Sequence, residues 1–170
     1  DYAASAAGVT VSLATGKGLG GDAQGDTLTG IENITGSKFA DVLTGDALAN
    51  VILAGAGNDV IFGSGGGDTI DGGDDVDVVD YSASTAAVSV NLATGKGAGG
   101  FAEGDTLSNV ENLIGSKYGD VLTGNRQANV LDGGAGDDVL AGGLGADKLL
   151  GGLGRDMADY SASAEGVVVN

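Results

Sequence analysis

Asp138, Asp147 and Asp156 stand at a nine-residue step in three consecutive units, GGAGDDVLA, GGLGADKLL and GGLGRDMAD, which fill residues 133–159 without a gap. Each unit has paired glycines first, glycine fourth, aspartate sixth and an apolar residue eighth. The glycines open backbone conformations closed to residues with a Cβ, so a tight turn can aim carbonyl oxygens inward while the aspartate adds a charged oxygen. Hard oxygens gathered in this way suit a hard divalent cation such as calcium. The last three residues of each unit predict a short strand whose central side chain enters a core.

The elements that must position these aspartates repeat with the same step. Residues 36–80 divide into five units starting at Gly36, Gly45, Ala54, Gly63 and Gly72, and residues 115–159 divide likewise from Gly115, Gly124, Gly133, Gly142 and Gly151. The eighth positions are Leu43, Ile52, Ile61, Ile70 and Val79, then Leu122, Leu131, Leu140, Leu149 and Ala158. Aliphatic residues nine apart are what two thin parallel sheets require if each unit makes half a coil. The unit resembles the RTX nonapeptide GGxGxDxUx of the repeats-in-toxin family. That resemblance implies an all-β fold, a right-handed parallel β-roll or β-solenoid stabilised by calcium in its turns.

In that family calcium sits between one loop and the next on the same side, two units away, held by glycine-turn carbonyls and the sixth residues of both loops. Carried over by position, the resemblance implies pairing of Asp41 with Asp59, Asp59 with Asp77 and Asn50 with Asp68 in the first block. In the second it implies Asp120 with Asp138, Asp138 with Asp156 and Asn129 with Asp147, or about six sites once carbonyls are counted. The turn glycines are Gly55, Gly57, Gly134, Gly136, Gly143, Gly145, Gly152 and Gly154. Asn50 and Asn129 lose a charge and their loops lack the fourth glycine, so those sites are expected to be weak or empty. Phe39, Tyr118 and Asp75 also replace the fourth glycine. The loops from Ala54, Gly133, Gly142 and Gly151 fit best, which puts Asp59, Asp138, Asp147 and Asp156 first.

Composition narrows the function classes. Glycine supplies 35 residues, proline, cysteine, histidine and tryptophan none, and aromatics 4%, so a core of large side chains is not expected. Hydrophobic content of 42% is nevertheless too high for a solvated linker. The net charge of −17, with 20 of 24 acids being aspartate, argues against nucleic acid and anionic membrane surfaces and points to loops. About six divalent ions would bring +12 and leave −17 + 12 = −5, so the metal-free chain is expected to be largely disordered. No apolar run approaches a membrane span. Without histidine or cysteine, no acid–base or nucleophilic constellation forms, and no enzyme is expected. No segment has the ligand pattern of an EF-hand, and Lys17 and Lys96 in TGKG lack the glycine spacing of a phosphate-binding loop.

A longer repeat lies over the short one. Asp1-Tyr2 returns as Asp80-Tyr81 and, after an equal step, as Asp159-Tyr160; SLATGKG from Ser12 returns as NLATGKG from Asn91 at that same offset. The chain divides into a partial unit (1–35), the first block (36–80), an intervening segment (81–114), the second block (115–159) and the start of a third copy (160–170), all one continuous solenoid, and reads as cut from a longer array. Residues 88–92, 105–107 and 110–114 predict three further strands, with 93–104 a projecting loop. Five half-coils plus three make eight per copy, or four coils advancing roughly 19 Å. Tyr81 and Tyr160 read as edge-packing residues, and the valines at position seven as an outer face. The resemblance implies an extracellular calcium-folded structural segment of a large secreted or cell-surface protein of a Gram-negative bacterium, of adhesin or surface-layer type. The alternative is a polysaccharide-binding or stabilising module of a secreted enzyme such as an alginate epimerase, protease or lipase. Calcium is the expected small-molecule partner, with lateral or end-to-end association with copies of itself, or a polysaccharide, as open options.

Overall fold

The computed structural model describes residues 1–168, so the end of the third-copy segment, where Asn170 repeats Asn91, lies outside the described residues. In chain order the strands of the partial unit and first block are β1 (Thr10–Ser12), β2 (Lys17–Leu19), β3 (Asn33–Thr35), β4 (Val42–Thr44), β5 (Val51–Ala56), β6 (Val60–Phe62), β7 (Thr69–Asp74) and β8 (Val78–Asp80). The intervening segment supplies β9 (Ser89–Asn91), β10 (Lys96–Ala98), β11 (Thr106–Ser108) and β12 (Asn112–Ile114). The second block supplies β13 (Val121–Thr123), β14 (Val130–Asp132), β15 (Val139–Ala141), β16 (Lys148–Leu150) and β17 (Met157–Ala158).

These strands form two sheets that face each other. One runs β16-β14-β12-β8-β6-β4-β1-β2 and the other β17-β15-β13-β9-β10-β11-β7-β5-β3. The blocks are parallel throughout, and the register stacks position eight on position eight: Leu43, Ile61 and Val79 in one sheet, Ile52 and Ile70 in the other. The columns continue with Leu113 of the intervening segment on Leu131 and Leu149 of the second block, and with Val90 on Leu122 and Leu140. Alternation drives it, since the central residue of each three-residue strand points inward while its neighbours face out. Leu43, Ile52, Ile61, Ile70, Val79, Leu122, Leu131 and Leu140 are buried. Each such side chain contributes about 1.5–3 kcal/mol. Leu149 is half-buried and Ala158 exposed, where no further coil covers them.

Close stacking explains the glycines. Gly73 has φ +103°, and a Cβ there would overlap the Gly55 carbonyl oxygen of the coil below. An L side chain at that position would be both strained and blocked.

Three expectations need correction. Segment 93–104 is not a projecting loop: β10 lies in the sheet wall, antiparallel to β9 and bridged to β11 through Lys96 and Thr106. Gly97 permits this, because a Cβ there would meet the Ala102 carbonyl at 2.7 Å. The second correction follows from the first. The strands read at 88–92 and 105–107 both lie on one wall, joined by the β9–β10 hairpin, so the intervening segment adds an odd number of sheet crossings. Accordingly β4 and its counterpart in the next copy, β13, lie in opposite sheets. A copy therefore advances by seven half-coils rather than eight, and successive copies are related by a half-turn. Third, Tyr81 is not an edge residue. It is fully buried, the largest side chain of the core, with its ring over Gly63. Tyr160 is exposed.

Candidate metal sites along the two turn edges

Each turn delivers its sixth residue to the start of the next strand, so these side chains line up along the two long edges of the stack. One edge carries Asp41, Asp59, Asp77, Glu111, Asn129 and Asp147; the other carries Asn50, Asp68 and Asp105, then Asp120, Asp138 and Asp156. Asp41, Asp59, Asp68, Asp77, Asp105, Asp120 and Asp138 are 0–1% exposed, unusual for a charged residue.

One side-chain oxygen of each rung accepts the backbone N–H of the sixth-position residue one coil earlier. The donors and acceptors are Asp41 to Asp59 (2.7 Å), Asp59 to Asp77 (2.8 Å), Asn50 to Asp68 (2.9 Å), Asp120 to Asp138 (2.7 Å), Asn129 to Asp147 (2.9 Å) and Asp138 to Asp156 (3.1 Å). All six pairs expected from the sequence are thus neighbouring rungs. The ladder also runs where no nonapeptide was visible: the Asp77 N–H donates to Glu111 Oε2 (3.0 Å) and the Asp68 N–H to Asp105 Oδ1 (2.7 Å). Glu111 and Asp105 escaped the sequence reading because no GGxG turn precedes them. The available signal was an acid immediately before a short apolar strand.

The second oxygen of each carboxylate divides the loops into two kinds. Where position two is serine, the protein satisfies it. The Ser37 N–H donates to Asp41 Oδ2, the Ser116 N–H to Asp120 Oδ2, and the Ser64 hydroxyl to Asp68 Oδ2 (2.8 Å). In the loops of Asp59, Asp77 and Asp138 position two is glycine, and there Oδ2 is buried with no hydrogen-bond partner. An unpaired buried carboxylate oxygen costs several kcal/mol unless a cation meets it. Burial pushes Asp59 up to about 7 and both Asp77 and Asp105 up to about 6, and raises Asp68 and Asp138 as well, with neighbouring carboxylates adding to the rise.

The glycine at position one leaves the matching gap. Where a Cβ would stand at Gly133, the Asp138 Oδ2 and the Gly151 carbonyl oxygen converge, and at Gly115 the Asp120 Oδ2 (2.5 Å) and the Gly133 carbonyl oxygen (2.8 Å) do the same. The coils pack too closely there for a Cβ, and a carboxylate oxygen and a carbonyl oxygen from consecutive coils lie beside the same glycine, the donor types that a hard cation takes. Ala54 puts a methyl group at that position in the Asp59 loop. Among the described residues no three acidic side chains converge, and a cation at these turns would need main-chain carbonyls beside the carboxylates. The turn glycines Gly55, Gly57, Gly134, Gly136, Gly143, Gly145, Gly152 and Gly154 all have φ between +87° and +135°, the left-handed region that directs such carbonyls.

The asparagine rungs are complete without an ion. Asn50 Oδ1 accepts the Asp46 N–H and its Nδ2 donates to the Glu32 carbonyl (both 2.8 Å); Asn129 does the same with Asn125 and Glu111. Asp147 is half-buried and Asp156 exposed, and the nearest atoms around the gaps at Gly142 and Gly151 belong to their own aspartates. Both are half-built in the described structure, whereas Asp77, not among the first four from sequence, is fully enclosed.

Asp75, at position four of its loop, adopts φ +79° where Gly57, Gly66, Gly136, Gly145 and Gly154 stand in other loops. Left-handed backbone costs a non-glycine residue about 1–2 kcal/mol. Its side chain accepts only a long bond from the Gly57 N–H (3.3 Å). Asp75→Gly should therefore raise the thermal midpoint in saturating calcium by roughly 2–4 °C, read by circular dichroism. An unchanged or lower midpoint would show that the strain is compensated.

The architecture is that of a parallel β-roll. Four segments, 26–47, 44–79, 108–140 and 123–158, match the RTX calcium-binding nonapeptide repeat. The chain belongs to that family, and calcium is its ion. No curated protein matches the chain. The repeat is a structural calcium-binding unit rather than a catalytic one.

Proposed function

We propose that this chain is a calcium-folded spacer of a secreted or cell-surface protein, of adhesin or surface-layer type. The observation that carries it is the continuity of both sheets through the copy junction, where β8 pairs with β12 and β9 with β13 in register. A unit that adds to itself without a break is suited to length and stiffness. The chemistry calcium supplies is charge neutralisation of the rungs. Asp59, Asp77 and Asp138 would hold the ions best, through their buried second oxygens and the carbonyls of the adjoining glycine turns. Asp41 and Asp120 would contribute as the neighbouring rungs of Asp59 and Asp138, with Asn50 and Asn129 closing their loops alone. Folding would then await the millimolar calcium outside the cell. Among the described residues no helix is long and apolar enough to cross a membrane.

A polysaccharide-binding module is favoured less. Phe39 and Tyr118 are about 40% exposed, each near a lysine, Lys38 and Lys117. The half-turn between copies places them on opposite edges, so they form no continuous sugar track. Small-angle scattering with and without calcium tests the spacer: an elongated monomer in calcium and an expanded coil in EDTA are expected. A compact particle, or calcium-dependent growth to large species, would contradict it.

A further inference from the structure

Resting on the calcium reading above, we infer that the seam between the first block and the intervening segment holds a divalent cation of its own, gripped by Asp77 below and the Asn109–Glu111 turn above.

A regular solenoid would cover the Gly72 loop with the loop two units further on. Here the chain has left for the β9–β10–β11 excursion, and the turn at Asn109–Glu111 returns from it to take that place, with Glu111 capping the Asp77 N–H. The substitution is close in geometry. At Gly72, the point where a Cβ would stand is flanked by the Asn109 carbonyl oxygen and by Asp77 Oδ2 (2.6 Å), as in the regular gaps at Gly115 and Gly133. Asn109 reaches this position with φ +50°, uncommon outside glycine. Asp77 is wholly buried, and its Oδ2 has no hydrogen-bond partner. Glu111 brings a second carboxylate, with Oε2 on the Asp77 N–H, and Asn112 and Glu111 both donate backbone N–H groups to the Asp77 carbonyl (2.9 and 3.3 Å). An uncharged gap filler would leave Asp77 and Glu111 stacked as like charges at the seam.

The site also has an entrance. A polar cleft of about 370 Å³, lined by Asp74, Asp75, Asn109, Glu111, Asn125 and Gln127, opens beside the seam. The ion class is a hard divalent cation taking carboxylate and carbonyl oxygens, which at extracellular concentrations means calcium. Such an ion would tie one block to the next, so that the copies fold as one column along this edge. On the opposite edge the corresponding rung, Asp105, is closed by the Tyr81 hydroxyl (2.7 Å) and needs no ion.

The test is calcium binding to the whole chain by equilibrium dialysis and calorimetry, for the wild type, Glu111→Gln, Glu111→Asp and Glu32→Gln. Glutamine keeps an oxygen for the Asp77 N–H, so the fold should survive. Glu32 is the counterpart of Glu111 in the preceding copy, immediately ahead of β3 at the end of its sheet, with no described loop beneath it. We expect Glu111→Gln to bind one calcium fewer, or one at least tenfold more weakly, with Glu111→Asp restoring it and Glu32→Gln unchanged. Calcium binding by Glu111→Gln equal in number and affinity to the wild type would overturn the seam site while leaving the calcium reading intact. An equal loss in Glu111→Asp and Glu111→Gln would likewise count against it. A wild type that binds no calcium at millimolar concentration would overturn both.

Discussion

Asp59→Asn should act in opposite directions with and without calcium. In calcium, the concentration needed for half-maximal folding rises about tenfold, equivalent to roughly 1.4 kcal/mol, because the rung loses the charge that faces two neighbouring coils. In EDTA the same substitution raises the β signal. The reason is the state of Asp59 in the metal-free fold, where burial, followed by the charges of Asp77, Asp41 and Asp75, lifts its carboxyl to about 7. A folded value above the unfolded one, near 4, means that the metal-free fold binds a proton the unfolded chain does not. Stability from this group is then full below about pH 4 and lost as pH rises through about 7. Acidification from pH 8 to 5 should therefore increase β structure in EDTA and, by protonating the ligands, decrease it in limiting calcium. Asn50 and Asn129 show that an amide is tolerated at this rung. Circular dichroism in both conditions reads the result, and destabilisation by Asp59→Asn in EDTA as well as in calcium would refute the account of Asp59 as an unpaired buried charge.

Tyr81→Ala should cost about 3–5 kcal/mol for the emptied core, the largest loss of any single side chain in the stack. The ring fills the space that Gly63 leaves open, and the hydroxyl donates to Asp105 Oδ2 (2.7 Å) while the Asp68 N–H holds Oδ1. Tyr81→Phe separates the two parts: it keeps the ring but leaves a buried carboxylate oxygen without a donor, worth about 1–3 kcal/mol. Burial, with the Asp105 charge second, already holds the Tyr81 hydroxyl well above its usual value, so it stays a donor at any physiological pH. Tyr2 pairs with Asp26 in the same way (2.9 Å) but is only half-buried, so Tyr2→Phe should cost less. Urea unfolding in saturating calcium measures all three. A Tyr81→Ala midpoint within error of the wild type would mean that the seam is held elsewhere.

Position two offers a smaller contrast of the same kind. Ser64→Gly removes the hydroxyl that donates to Asp68 Oδ2 (2.8 Å), leaving that oxygen unpaired as in the Asp138 loop. It should increase the calcium concentration needed for folding by a few-fold, and a decrease would contradict the division of loops by their second residue.

The nine-residue step made the blocks legible, because an aliphatic residue must recur wherever a half-coil returns to the core, and an aspartate wherever it turns. The stacking of Asp41 on Asp59 or Asp120 on Asp138 follows from two such steps. The intervening segment obeyed other constraints. TGKG looks like loop punctuation, yet Gly97 is small so that β10 can lie against Ala102 inside the wall. That hairpin keeps two strands on one sheet, and the parity of the whole repeat changes with it. Tyr81 recurred only at the long step, which says nothing of its burial against a distant aspartate, and Glu111 gave no nine-residue signal because its partner coil lies on the far side of the β9–β10–β11 excursion. Position-two serines were visible as letters, but their hydrogen bonds to the aspartates depend on the curl of the turn.

The central claim is that calcium completes a fold whose buried carboxylates otherwise oppose it. Far-UV circular dichroism of the chain, titrated with calcium from an EDTA-stripped state and repeated with magnesium, tests it most directly. The account predicts a disordered spectrum in EDTA and a cooperative rise of β signal at millimolar calcium that magnesium does not reproduce. A full β spectrum in EDTA at neutral pH, unchanged by calcium, would contradict it and leave the aliphatic columns as sufficient on their own.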